Sequence, residues 1–267
     1  MSEILSAVTV LILLCASAGV GLFIRLRLPQ HHYTRETTEL MQLTIGLLGT
    51  FAAIVLGLLT ASVKQDYDSA AFDRQHYALQ LTSLDACLRD YGPGTAAIRA
   101  EIHSYTAAVI ASTWPNEPPP TGVSYPDTSH MPRVGASPVL GWLMERIGVA
   151  VTDLAPADAR QAKIAALCQD RYKDISNDRL SVIEDARRHL SDPFYEILVI
   201  WLMIMFACFG LVAPRNGLSI TTIGLCAISM SSVIFVIVDL SQPYGGFFSI
   251  SSATMRHALT AMLDAPS

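Results

Sequence analysis

A row of small and weakly polar residues stands out within the apolar stretch that begins at residue 41. Its spacings are 4, 3, 4, 4, 3 and 4, and its members are Gln42, Gly46, Gly49, Ala53, Gly57, Thr60 and Lys64. On an α-helix these spacings place all of them on one face. Small residues let helices approach closely in lipid, whereas a roomy face with polar groups can line an ion pore. The row therefore has two interpretations, helix packing and pore lining.

Charged residues at the edges of the apolar stretches are the second set of candidates. In an oligomer, Lys64 would form a ring of positive charge at a pore mouth and favour anions. Asp66 and Asp68 follow about one turn later and would oppose that preference. Glu196 and Asp239 lie at the edges of two later apolar stretches. Carboxylates at membrane depth are costly and often functional, although at a helix end they can reach water, so both acids are functional hypotheses.

The sequence contains no motif typical of an enzyme. It has no glycine-rich phosphate loop, no nucleophile elbow and no HExxH metal motif. We therefore expect no catalytic residue, no metal site and no cofactor. Cys87 and Cys168 lack the paired spacing of a disulfide scaffold and are interpreted as small packed residues with free thiols. A net charge of −5 and a pI near 5.8 argue against a nucleic-acid partner.

The elements that would position these residues are four long apolar stretches. They cover about 4–24, 41–63, 194–213 and 218–239. A helix of about 20 apolar residues crosses the hydrocarbon core of a bilayer. Only 15% of the residues are charged, against about 25% in soluble proteins. The sequence therefore predicts an all-α membrane protein with four transmembrane helices, the first too long for a cleaved signal peptide.

The segment 64–193, between the second and third apolar stretches, holds most of the charged residues and predicts a helical domain. Because no helix breaker precedes Gly92, we expect the second transmembrane helix to continue to Tyr91. The proline-rich loop 115–138 has two interpretations, a spacer or a ligand for a signalling domain, and we favour the spacer. The C-terminal tail covers 241–267, and its uncharged segment 247–255 is expected to pack back on the membrane face.

Four transmembrane helices would place both termini and segment 64–193 on one side of the membrane, opposite loops 25–40 and 214–217. Counts of Lys and Arg near the ends of the helices favour the cytoplasm for the domain side by six to four. The six are Lys64, Arg74, Arg179, Arg187, Arg188 and Arg256, and the four are Arg25, Arg27, Arg35 and Arg215. Free thiols also suit the reducing cytosol. We therefore expect a cytoplasmic domain.

Three motifs resemble the bestrophin-like family of bacterial membrane proteins, a domain of unknown function. They are FACFGLVAPRN at 206–216, IVDLSQPYGG at 237–246 followed by ISS at 250–252, and GLLTAS at 57–62. The resemblance extends over nearly the whole chain and is weakest in loop 115–137. It implies a protein of the bacterial inner membrane, remotely similar to the bestrophin anion channels.

Bestrophins are pentamers with four membrane helices per subunit, a cytoplasmic helical bundle between the second and third helices, and a pore lined by the second helix. Their hydrophobic neck is not recognisable at the row, and neither is their acidic calcium clasp. The resemblance implies a homo-oligomeric channel for inorganic ions in the lipid bilayer, with anions slightly favoured and the second helix lining the pore. The alternative is a non-conducting membrane scaffold or regulator whose cytoplasmic helices bind a partner.

Overall fold

A computed structural model describes residues 2–27, 34–132, 136–185, 192–214 and 216–265, without the side chains of residues 2, 3 and 192–194. These residues form eight α-helices and no strand. The helices are α1 (Ser2–Arg27), α2 (Arg35–Tyr91), α3 (Ala96–Thr113), α4 (Pro138–Thr152), α5 (Ala159–Asp185), α6 (Asp192–Val212), α7 (Gly217–Leu240) and α8 (Ala253–Asp264). Arg187, Arg188 and Arg215 of the charge count lie outside the described residues.

Four of these helices are long and apolar enough to cross a membrane. They are α1, α2, α6 and α7, with mean hydropathy between 2.2 and 2.5 in their most apolar windows. Between 11% and 33% of those windows is buried within the protein, so most of this apolar surface faces outward. The helical class and the four long apolar helices are thus confirmed.

Helix α2 runs without a break for 57 residues. It contains no proline, and its last internal glycine is Gly57. It ends where Gly92 adopts a φ of 125° and its N–H contacts the carbonyl of Leu88, an ending that glycine favours because it has no Cβ atom. The expected continuation to Tyr91 is confirmed.

The chain divides into two compact units, the first comprising residues 1–66, 189–242 and 246–248. In this unit α1 packs against α6 and α7, around buried residues such as Leu14, Leu202 and Ile234. Helices α1 and α6 approach so closely that a Cβ atom on Gly21 would lie 2.0 Å from the carbonyl oxygen of Ala207. A Cβ atom on Gly210 would lie equally close to the carbonyl oxygen of Ala18.

The second unit comprises residues 67–188, 243–245 and 249–267. Its core combines residues of α2, α3, α4 and α5, among them Leu84, Ile102, Ile147 and Ile175. The proline-rich segment packs on this core through Val123, Tyr125 and Met131. The described part of this segment thus contacts the core at these residues, and the spacer and ligand interpretations stay predictions.

Of the C-terminal tail, residues 243–245 and 249–267 belong to this second unit, whereas residues 241, 242 and 246–248 belong to the first. Helix α8 packs against α3, and the indole Nε1 of Trp114 donates to the carbonyl of Ile250 over 2.8 Å. Arg256 donates to Glu117 over 3.1 Å and to the carbonyl of Pro118 over 2.7 Å. Helix α8 also buries its Met255 and Leu259 in the helical core of this unit.

The expectation of free thiols at Cys87 and Cys168 is wrong. The two residues form a disulfide that joins α2 to α5, with a Cα–Cα distance of 5.7 Å. They are 81 residues apart in sequence, so only tertiary folding brings them together. The described free cysteines are Cys15, Cys208 and Cys226. The thiol argument for a cytoplasmic domain therefore fails, since disulfides persist mainly in oxidising compartments.

Candidate pore-lining helix

The row of small residues lies on a side of α2 that its own unit leaves mostly uncovered. Gln42, Gly46, Ala53, Gly57 and Lys64 are exposed, and Gly49 and Thr60 are half-buried. The side of α2 that packs within the first unit is a different one, with Ala52, Leu56 and Val63 buried. The structure thus keeps the members of the row together and turns most of them outward.

The small residues of the row do not serve close helix packing within the unit. A Cβ atom built on Gly46 or Gly57 has no atom within 4 Å, and one on Gly49 meets only the Sδ atom of Met205, at 3.8 Å. The close approach that glycine permits occurs instead at Gly21 and at Gly210, where a built Cβ atom would lie 2.0 Å from a carbonyl oxygen of the facing helix. Any packing role of the row must therefore involve another molecule.

The polar members of the row differ in their surroundings. Gln42 lines a cavity of about 390 Å³ that residues of α6 and α7, including Phe209 and Thr222, also line. The hydroxyl of Thr60 donates to the carbonyl of Leu56 over 2.7 Å, so its proton is used within the helix and its oxygen remains an acceptor. The Thr60 side chain can therefore only accept a further hydrogen bond, through the lone pairs of its oxygen.

A second uncovered face of α2 is apolar. Its members are 50% to 74% exposed and are Leu43, Leu47, Phe51, Ile54 and Leu58. Contiguous apolar surface of this kind is covered by lipid or by another subunit in a membrane protein. Helix α2 therefore offers two different faces to whatever surrounds it.

The two membrane-edge acids have different environments. Asp239 is buried, 2% exposed, at the end of α7. Its Oδ1 accepts from the N–H of Phe247 over 2.6 Å and its Oδ2 from the N–H of Phe248 over 2.8 Å. Glu196 is exposed near the start of α6. In the described residues Asp239 thus stabilises the turn after α7.

A buried ionic cluster in the second unit was not predicted from the sequence. The Oδ1 of Asp85 accepts from the Nε of Arg99 over 2.9 Å and lies 2.8 Å from the Nε2 of His103. The Nη2 of Arg99 donates to Oδ2 over 3.2 Å. The sequence signal for this cluster was Asp85 itself, an acid between the apolar residues Leu84 and Leu88. A carboxylate on a buried helix face needs hydrogen-bonding or charged partners.

Three buried groups of the second unit have shifted pKa values, namely Asp85 and the tyrosine pair Tyr77 and Tyr105. Burial raises the pKa of Asp85, but the hydrogen bonds and charges of His103 and Arg99 outweigh it and lower that pKa below its usual value. The hydroxyls of Tyr77 and Tyr105 lie 2.6 Å apart. Burial, together with the Tyr105 hydroxyl, raises the pKa of Tyr77 well above its usual value. The hydrogen bonds of Asp85 with Arg99 and of Tyr77 with Tyr105 join α2 to α3.

The guanidinium of Arg74 occupies a buried aromatic setting in the same unit. It lies 4.8 Å from the ring centroid of Tyr244 and 5.4 Å from that of Trp114. Such cation–π contacts stabilise a buried cation.

Within the described residues, no group of three or more His, Cys, Asp or Glu side chains is placed to bind a metal ion.

Comparisons with known proteins give a consistent family assignment. The family model of the Bestrophin-like domain matches residues 12–255. Two crystal structures of variants of a bacterial bestrophin homologue from Klebsiella pneumoniae superpose with TM-scores of 0.69 at 14% identity. They cover 97% and 99% of this chain and 100% and 98% of their own. A comparison with curated proteins finds no match. At this identity the superpositions establish a shared fold.

Proposed function

The chain belongs to the bestrophin-like family, and on that premise we propose that it forms an oligomeric ion channel whose pore is lined by α2. The observation that carries the proposal is the uncovered row on this helix. Gly46 and Gly57 have no neighbouring atom within 4 Å of a built Cβ, although they lie in the middle of an apolar segment. A ring of such helices would leave an open path beside small side chains.

We propose that the row faces the axis and that the apolar face of α2 contacts neighbouring subunits or lipid. Glycine and alanine keep the path wide, and the oxygen of Thr60 offers a polar contact along it. The apolar face supplies the surface that a stable assembly buries. By family resemblance the assembly is a pentamer. We propose no enzymatic activity.

Lys64 would stand at one mouth of this pore as a ring of positive charge. It is exposed, and so are Asp66 and Asp68 on the same helix. Their negative charges oppose the lysine ring, so a slight preference for anions rests on resemblance more than on charge. We propose the bacterial inner membrane as the location.

We propose that the second unit and both termini are cytoplasmic, as the Lys and Arg count favours. The Cys87–Cys168 disulfide argues in the opposite direction, because cytosolic thiols are kept reduced. Measuring the accessibility of an introduced Ser129→Cys thiol in intact cells would decide the orientation. Ser129 lies in an exposed part of the loop before α4, so a reagent that cannot cross the membrane labels it only from the outside.

The test of conduction is ion flux into liposomes containing the purified protein, with chloride and potassium gradients applied separately. We expect selective flux, and at least a tenfold loss of it in Gly57→Leu. Ala61→Leu adds bulk to an exposed position of α2 outside the row and serves as the matched control. It should conduct as the unmodified protein does.

Two results would contradict this arrangement. Unchanged flux in Gly57→Leu with lost flux in Leu58→Asp would assign the pore to the apolar face of α2. No flux at varied pH, calcium concentration and voltage would favour the non-conducting scaffold, and the search would turn to partners of the helical unit.

A further inference from the structure

The second unit contains a polar cavity between α2, the start of α4 and the second half of α5. Its volume is about 660 Å³, and small-molecule sites typically measure about 300–1,000 Å³. Its polar lining includes Asp73 of α2, Ser137 at the start of α4, and Arg179 and Glu184 of α5. All four belong to the second unit, so the cavity lies within one compact part of the chain.

Ser137 lines this cavity with a buried hydroxyl group that has no partner among the described residues. The residue is 3% exposed. It occupies the cap position before α4, but its side chain makes no hydrogen bond to the helix, and no other described residue bonds its hydroxyl. Because buried polar groups are nearly always hydrogen-bonded, the cavity is where this hydroxyl can find its partner.

The guanidinium of Arg179 lies beside the first turn of α4, next to the same part of the cavity. Its Nη2 is 3.7 Å from a Cβ atom built on Gly141, the fourth residue of that helix. The Arg179 side chain bonds the Tyr105 hydroxyl, and among the described residues no carboxylate forms an ion pair with it. The first turn of a helix also carries partial positive charge. Arg179, Ser137 and the start of α4 together suit a carboxylate group.

The same cavity is also lined by acids, which restricts the kind of ligand it can take. Asp73 and Glu184 would repel a simple anion bound at Arg179. A metal cation is disfavoured by Arg179, and no group of three acidic or other ligating side chains is placed to hold one in the described part of the chain. A ligand that carries one positive and one negative charge fits both parts of the lining.

We propose that this cavity binds a zwitterion of the α-amino acid class with an aliphatic side chain. Its carboxylate lies against Arg179 and the hydroxyl of Ser137, and its ammonium group lies near the acids. Charge-assisted hydrogen bonds between a guanidinium and a carboxylate are about twice as strong as neutral ones. Leu180 and Ile183 line the cavity as well and offer contact to the side chain.

The test is equilibrium dialysis of the purified protein in detergent with radiolabelled L-leucine. We expect saturable binding of one leucine per subunit. Unlabelled 4-methylpentanoate, which lacks the ammonium group, and 3-methylbutylamine, which lacks the carboxylate, should each compete at least tenfold more weakly than unlabelled leucine. Equal competition by the acid would show a simple anion site, and equal competition by the amine a cation site. Either result would overturn the proposal, as would a lack of saturable binding up to about 10 mM, well above millimolar dissociation constants.

Two variants test the two charges of the ligand separately. Ser137→Ala removes a hydroxyl that makes no cap hydrogen bond, so the helix should remain intact while leucine binds at least threefold more weakly. Asp73→Asn should also weaken leucine at least threefold, while 4-methylpentanoate gains affinity relative to leucine because a repelling charge is removed.

Asp90→Asn is the matched control, because it neutralises an exposed acid of α2 that does not line the cavity. It should bind leucine as the unmodified protein does. Unchanged binding in both Ser137→Ala and Asp73→Asn would contradict the site. The dialysis does not depend on conduction, so a failure of the channel proposal would leave this proposal intact.

Discussion

Asp239 and Gly246 face each other across the turn that follows α7, where a Cβ atom on residue 246 would lie 2.6 Å from the Oδ1 of Asp239. The carboxylate is buried and accepts two backbone N–H groups from the residues that follow Gly246. The turn can close on the carboxylate only because residue 246 has no side chain. A buried acid and a glycine seven positions later thus form one structural unit.

Replacement of Gly246 by alanine should destabilise this turn. The added methyl group would displace the carboxylate from the N–H groups of Phe247 and Phe248, and leaving the buried carboxylate without these partners costs about 1–3 kcal/mol. We expect a lower thermal unfolding temperature of the protein in detergent. Gly94→Ala, at a glycine with no atom within 4 Å of a built Cβ, should leave that temperature unchanged. Equal stability of the two variants would contradict the role of the turn.

The contact between α1 and α6 gives a sharper comparison within one helix. Gly21→Ala would place a methyl group 2.0 Å from the carbonyl oxygen of Ala207, so the helices must separate. Overpacking of this kind costs about 1–3 kcal/mol or more. Gly19→Ala adds the same methyl group two residues earlier, in open space. Thermal unfolding should be lowered by Gly21→Ala alone, and similar effects of both would refute the close contact.

The Asp85 cluster should make stability depend on pH in the acid range. Its folded-state pKa is lowered from an unfolded value near 3.9, so its contribution is complete above about pH 5 and is lost as the pH falls through the folded pKa. Asp85→Asn, which leaves Arg99 and His103 without their carboxylate, should cost about 3–5 kcal/mol near neutral pH.

The measurement is thermal unfolding of the unmodified protein and of Asp85→Asn between pH 3 and pH 7. The difference in unfolding temperature should be largest above pH 5 and should shrink towards pH 3. Asp90→Asn alters an exposed acid on the same helix and should follow the unmodified protein. A difference that stays constant over this range would show that Asp85 is not the titrating group.

Thiol labelling tests the disulfide directly. In denaturant without reductant, three of the five cysteines should react with maleimide, namely Cys15, Cys208 and Cys226. All five should react after reduction. Closing a loop of this length stabilises a fold by about 2–4 kcal/mol, so reductant should also lower the unfolding temperature of the protein but not that of a Cys87→Ser/Cys168→Ser variant. Five reactive thiols before reduction would contradict the bond.

The helical framework was predictable from sequence because its signals are local. Apolar stretches of about 20 residues, the lack of a breaker between Gly57 and Gly92, and the turn at Pro214 are all visible along the chain. The row on α2 was visible for the same reason, since helical periodicity places its members on one face. Its uncovered state was not visible, because that depends on which side of α2 the other helices contact.

Most of the missed features depend on contacts between parts of the chain that are distant in sequence. Cys87 contacts Cys168 only when α2 and α5 pack together. Glu117 contacts Arg256 only when α8 packs within the second unit. Asp239 was identified as a membrane-edge acid, but its use in a turn needed the positions of the following N–H groups. Such partners cannot be predicted from the composition and the spacing of residues.

The disulfide also makes residues 87–168 a closed covalent ring, and this ring contains the proline-rich segment with its exposed Ser129. A protease that cuts once near Ser129 would open the ring without dividing the molecule. The nicked protein would migrate as one chain on a non-reducing gel and as two fragments after reduction. Loss of a peptide bond in the loop would therefore leave α2 and α5 covalently joined.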